Sequence, residues 1–131
     1  MTDLEKTKQI FLNYREIKNI YDNSTNDSEK KQSEMYLAII NKYLNKLKIS
    51  NEYFSKNKYS RCKSKEYMQM IHDVLCYYYI SPKKNSFAAV TKLINNKYNT
   101  SYSSATIAHF HNAALKIISE YFKEDDVIWF G

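Results

Sequence analysis

With 131 residues, 44% of them hydrophobic, the chain is long enough for one compact domain, or a small domain with a helical appendage, and too apolar to stay disordered. One glycine and one proline leave almost no material for tight β-hairpins, and no GxxxxGK[ST] phosphate loop is present, so an all-α fold is expected and a P-loop nucleotide site is excluded. The net charge of +6 is moderate, so where the cations lie says more than how many there are.

Thr2 and Glu5 fit a capping box, which starts a helix almost at once. Leu4, Ile10, Phe11, Tyr14, Ile17 and Tyr21 then form one apolar face, and the run Asp22 to Asp27 (DNSTND) ends it, because its side chains compete for backbone hydrogen bonds. A second amphipathic helix is expected from Ser28 to Lys48, with Tyr36, Leu37, Ile40, Tyr43, Leu44 and Leu47 inward. The two make an antiparallel N-terminal helical hairpin, residues 1–58. It either covers the back of the C-terminal helices or offers a dimer surface; the first is favoured because such a hairpin alone buries little.

Residues 49–60 read as a connection anchored by Tyr53, Phe54 and Tyr59. Ser60 or Ser64 caps the next helix, whose inner face holds Tyr67, Ile71, Val74, Leu75 and Tyr78 and which Ser81-Pro82 stops. Lys83, Lys84 and Asn85 precede Ser86, the N-cap of a helix carrying Phe87, Val90 and Ile94. After a glycine-free polar break, Asn95 to Tyr102, a last helix is marked by Ile107, Phe110, Ala114, Ile117 and Tyr121. Its other side holds Ala105, Ala108, Asn112, Lys116 and Ser119, with His109 beside them. That side is small, polar and free of carboxylates, as a surface lying against nucleic acid requires. In the tail EDDVIWFG, Val127, Ile128, Trp129 and Phe130 are expected to fold back on the core; exposed, they would be a partner-docking peptide.

From Tyr59 to Ser119 eight lysines and arginines face only Glu66 and Asp73, whereas residues 1–58 carry eleven cations against eight acids. Positive charge is therefore concentrated around the last three helices. Catalysis finds little support, since His109 and His111 are two apart and point about 200° away from each other on a helix. His111 is placed at the boundary of the apolar stripe. His72 and Cys76 have the i, i+4 spacing that suits zinc, but two ligands make no site, so neither metal nor cofactor is expected. Cys62 and Cys76 belong to no CxxC pair, which fits a reduced interior. Most of the thirteen tyrosines are expected at the rim, with rings buried and hydroxyls wet. With no membrane-length apolar run and a polar start, a soluble cytoplasmic protein is expected, monomer or homodimer.

Ser104, Ala105, Thr106, Ile107, Ala108, His109 and Phe110 resemble the start of the recognition helix in domain IV of the bacterial replication initiator DnaA, which typically reads Asp-His-(Ser/Thr/Ala)-Thr-Val-x-His-(Ala/Ser). Ser86 to Ile94 is similar to that family's scaffold helix, and the basic stretch Ser60, Arg61, Lys63 and Lys65 is placed as in that domain. Ser103-Ser104 stands where the family has Asp-His, and Asn95 to Tyr102 replaces its Gly-Gly turn. The likeness covers about half of the chain, roughly residues 60–119. It implies a helix-turn-helix bundle of the Trp-repressor-like type for residues 59–131.

Together these readings give a non-enzymatic protein that binds double-stranded DNA, in replication or transcription control. Ser103, Ser104, Ala105, Thr106 and His109 would reach base edges, with Asn112 and Lys116 further along the same helix. Arg61, Lys63, Lys65, Lys83, Lys84 and the Ser86 N-terminus would hold phosphates. The rival reading is a structural or interaction protein, such as a phage-encoded helical bundle, which turns the same scaffold to another protein through the N-terminal hairpin or the Trp129 tail. The two serines in place of Asp-His favour that rival.

Overall fold

The computed structural model describes residues 3–49 and 65–122, and every regular element among them is helical. In chain order these are α1 (Asp3–Leu12), α2 (Tyr14–Asn23), α3 (Asp27–Ile49), α4 (Lys65–Leu75) running into a π turn (Cys76–Ile80), α5 (Phe87–Tyr98) and α6 (Ser104–Phe122). Among them no helix is long and apolar enough to cross a membrane. The Thr2 cap, the Ser60 and Ser64 caps, Arg61, Cys62, Lys63, the aromatic anchors of the connection and the Trp129 tail lie outside the described residues.

The single N-terminal helix expected from periodicity is two. At Asn13 ψ opens to −6°, although Asn13 N–H still donates to the Gln9 carbonyl (3.1 Å) and the Asn13 carbonyl accepts from Ile17 N–H (3.0 Å). This break lets α1 pack along α6 while α2 packs along α3. It also turns Leu4 out to solvent, at 41% exposure, and puts Thr7 inside instead. The α2–α3 turn follows the expectation: Asn26 Oδ1 accepts from Ser28 N–H (3.0 Å) and Glu29 N–H (3.1 Å), capping α3.

Two clusters of buried side chains make the core. The larger joins Ile10, Phe11 and Tyr14 from the first two helices and Ile40, Tyr43, Leu44 and Leu47 from α3 to Met68, Ile71, Leu75 and Tyr79, and to Leu115 and Ile118 of α6. The smaller holds Met70, Val74, Val90, Ile94 and Ile107, between α4, α5 and the first half of α6. The N-terminal helices thus pack against α4 and α6. Each fully buried Leu or Ile in such a seam contributes about 1.5–3 kcal/mol.

Polar ties reinforce the apolar ones. Arg15 on α2 donates from Nε to the Ser81 carbonyl (2.9 Å) and from Nη2 to the Tyr78 carbonyl (2.8 Å), so a cation meets the carbonyls left over where the π turn ends. Tyr36 donates to the Ile10 carbonyl (2.8 Å), and burial, partly offset by a hydrogen bond from Asn13, pushes its hydroxyl up to about 12. In the π turn, Ser81 N–H reaches back five residues to the Cys76 carbonyl (2.8 Å). The wider turn carries successive rings round the axis more slowly than an α turn, so Tyr79 is buried while its neighbour Tyr78 still stacks on Phe87 with centroids 4.6 Å apart. Pro82 then ends the element as the sequence indicates, with Ser81 extended (ψ 137°).

Candidate nucleic-acid interface

Helix α5 begins at Ser86, whose hydroxyl accepts from Ala89 N–H (3.2 Å). It runs one turn beyond the expected end at Ile94 and stops at Tyr98, where Asn99 adopts the left-handed conformation (φ 53°, ψ 52°) that a glycine usually supplies. The turn is held by one side chain. Asn95 Oδ1 accepts from Thr100 Oγ1 (2.8 Å) and Tyr102 N–H (2.9 Å), while its Nδ2 donates to the Tyr102 carbonyl (3.0 Å). A glycine-free connection is possible because Asn99 tolerates a positive φ and Asn95 stands in for missing backbone partners.

Ser103 is the N-cap of α6: its Oγ accepts from Thr106 N–H (3.2 Å) and lies 3.1 Å from Thr106 Oγ1. Thr91 of α5, buried and also donating to Phe87 O (2.6 Å), reaches Ser104 Oγ at 3.2 Å. The hydroxyls of Ser86, Ser103, Ser104 and Thr106 therefore have structural partners within the scaffold. Ser103, Ser104, Ala105, His109, Asn112 and Lys116 are exposed, Thr106 and Ala108 are half-buried, and the sequence-derived face of α6 is therefore open to solvent only in part among the described residues. Lys83, Lys84 and Ser86, at the start of α5, are exposed too, and Lys65 is the first residue of α4. Between Ser81 and Ser119 the chain has five lysines and no carboxylate.

Two residues of α6 depart from their expected places. Ser119, assigned to the outer face, is buried and donates to the Lys116 carbonyl (2.6 Å), because α1 and α3 wrap the second half of the helix more fully than the first. His111, expected at a boundary, is only 3% exposed. Its Nε2 lies 2.6 Å from the Tyr79 hydroxyl, its Nδ1 3.0 Å from Asn112 Oδ1, and its ring meets Tyr78, Tyr79 and Phe87 edge-on or tilted. Burial lowers the His111 pKa, opposed by the Asn112 hydrogen bond, so the ring is neutral at ordinary pH.

Sequence reasoning missed the polar cluster that fixes α5 on α4. Asp73, buried, takes Lys97 Nζ at 2.8 Å, the Tyr98 hydroxyl, His72 Nδ1 at 3.2 Å and Gln69 Nε2 at 3.3 Å. Burial alone would raise the Asp73 carboxyl, but the hydrogen bonds from His72, Lys97 and Tyr98 and the Lys97 charge outweigh it and hold it well below the usual carboxylate range. The hydrogen bond to Asp73 raises Lys97 in turn. Burial, together with that same carboxylate, pushes the Tyr98 phenol up. The available signal was a lone acid between Met70, Ile71 and Val74 on an apolar face, which has to find a cation. The hydroxyls of Tyr36, Tyr79 and Tyr98 are therefore bonded inside the protein rather than wet at its rim.

His72 and Cys76 touch, with Sγ 3.7 Å from Nε2, and no group of three or more His, Cys, Asp or Glu suited to a metal occurs among the described residues. No family model, no curated protein and no solved structure matches the chain.

Proposed function

We propose that the chain is a non-enzymatic, cytoplasmic protein that binds double-stranded DNA through a DnaA domain IV-like helix-turn-helix, with α5 as scaffold and α6 in the major groove. The observation that carries this reading is the exposed, carboxylate-free face Ser103, Ser104, Ala105, His109, Asn112 and Lys116, with Lys83 and Lys84 exposed at the neighbouring helix start. Small side chains at the front of α6 permit close approach to base edges, and the lysines supply phosphate contacts. Arg61, Lys63 and Lys65 add to that positive border in the sequence. Control of replication or transcription is the role such a binder fits.

Fluorescence anisotropy with random-sequence duplexes at several salt concentrations tests it. About five lysine and arginine contacts to phosphates give log K a slope of roughly −4.5 against log salt. Absence of binding at low salt would sink the reading. The second reading, a helical interaction protein, draws on the exposed Leu12 and Leu93, at 50% and 38%, and predicts salt-insensitive capture of a protein instead.

A further inference from the structure

His111 of α6 is the ring at which the π turn and the start of α5 meet. Its centroid lies 5.2 Å from that of Tyr78 and 5.4 Å from that of Tyr79, and 5.2 Å from that of Phe87, the first residue of α5. Among the described residues the buried Tyr79 hydroxyl has His111 as its only hydrogen-bond partner, at 2.6 Å from Nε2. A buried phenol hydrogen without an acceptor is costly, so the O–H donates and Nε2 accepts. The ring proton then resides on Nδ1, towards Asn112 Oδ1 at 3.0 Å. This arrangement requires a neutral ring. A proton on Nε2 would reverse the bond and strand the phenol hydrogen in the core.

The surroundings offer an imidazolium no counter-charge. The π turn contributes Tyr78 and Tyr79, and burial holds the Tyr79 phenol above its ordinary range, so it supplies no phenolate. From α5 comes Phe87, from α6 itself the neutral Asn112, and from α1 Lys8, whose charge opposes a second positive group. Nothing charged on α3 or α4 acts on the ring among the described residues. The enclosure is uneven: Tyr79 is 1% exposed and lies against Phe11 with centroids 5.6 Å apart, whereas Phe87 is half-buried and follows the exposed Lys83, Lys84 and Ser86. Phe87 is therefore the side that gives way. We infer that His111 is an acid-sensitive latch: its protonation releases Phe87 and the start of α5 from α6 and lets water reach the ring, while the larger core stays closed. The latch operates in the free protein and needs no DNA contact.

NMR of the wild type tests this in two ways. Titration of the His111 ring should give a midpoint below the ordinary histidine value of about 6.5, and a midpoint at or above it overturns the inference. Amide exchange reads the opening itself. The open form takes up its proton at the ordinary value and the closed form only at a lower pH, so between the two the opening constant should rise about tenfold for each pH unit of acidification. Protection of Val90 N–H, which donates to the Ser86 carbonyl at 3.0 Å, should fall in step. Val90 should also be less protected than Leu44 of α3 at every pH, with no acceleration by dilute urea. Equal protection of the two amides would mean global unfolding and would overturn the latch. His111→Gln keeps an acceptor for Tyr79 but does not titrate, so Val90 protection should become independent of pH. A folded His111→Gln protein that retains the wild-type response overturns the inference, and if that variant does not fold the two wild-type readouts decide it.

Discussion

Lys97, near the end of α5, places its Nζ 2.8 Å from Asp73 Oδ2 on α4, and the adjacent Tyr98 hydroxyl meets the same oxygen. One carboxylate thus anchors the end of the scaffold helix with consecutive residues. Asp73→Asn should destabilise the fold by about 2 kcal/mol or more in urea unfolding, since it leaves an ammonium and several donors facing a neutral amide.

The same carboxylate sets a pH dependence. Its folded pKa is depressed, so its contribution is complete above the ordinary carboxylate range and is withdrawn as pH falls below about 4 towards the depressed value. Lys97 has the opposite sign: raised in the fold, it contributes below the ordinary lysine range and ceases to as pH climbs through its folded value. Unfolding curves from pH 2 to 6 should show a shallower acid limb for Asp73→Asn than for the wild type. Identical limbs would mean that Asp73 is not the group responsible.

Arg15 joins the N-terminal helices to the end of the π turn through the Tyr78 and Ser81 carbonyls. Arg15→Ala should cost about 2 kcal/mol, the scale of hydrogen bonds to a charged group. Arg15→Lys should recover only part of it, because a single ammonium does not reproduce the fork geometry. Full recovery by lysine in a Tm comparison would show that charge alone matters.

The turn before α6 separates two kinds of backbone requirement. Asn99→Ala should lose about 1 kcal/mol by forcing a Cβ-bearing residue without a local hydrogen-bonding group into the left-handed region, while Asn99→Gly should be near neutral. Asn95→Ala removes the acceptor for Thr100 and Tyr102 and should cost about 2 kcal/mol. Hydrogen exchange at the Tyr102 amide reports the second loss, and unchanged protection there would exclude it.

On duplex DNA, charge reversal at Lys83 and Lys84 should weaken binding to every sequence alike and flatten the salt slope by about two contacts. His109→Ala should relax sequence preference with little change in slope. Thr106→Ala should do the same and also lower stability, because Thr106 contacts the Ser103 cap. Gel shifts unaltered in both the lysine and the His109 variants would remove the support for groove binding.

Helix limits set by local chemistry were legible in the sequence. Ser81-Pro82 stops the π turn because proline cannot continue it, Ser86 starts α5 because its hydroxyl can accept a backbone N–H, and Asn26 does the same for α3. The inner faces of α3 and α4 were legible for the same reason, being fixed by spacing. What spacing could not show is tertiary. The break at Asn13 arises because α1 and α2 serve different neighbours, and His111 is buried because a widened turn elsewhere brings Tyr79 to it. On the outer side of α6, Ala105, His109, Asn112 and Lys116 are exposed as their spacing predicts, Thr106 and Ala108 are half-buried, and Ser119 is buried where the N-terminal helices enclose the rod from a second side.

That enclosure has a consequence for anyone who would trim the protein. Helix α6 is shared lengthwise, its front with Val90 and Ile94 and its rear with Phe11, Ile40 and Leu47. Excising everything before α4 would strip from Leu115 and Ile118 the part of their cover that Phe11, Ile40 and Leu47 supply, and the resulting fragment would clump through that opened seam. The C-terminal helices are, in this chain, bolted at one end to the N-terminal ones.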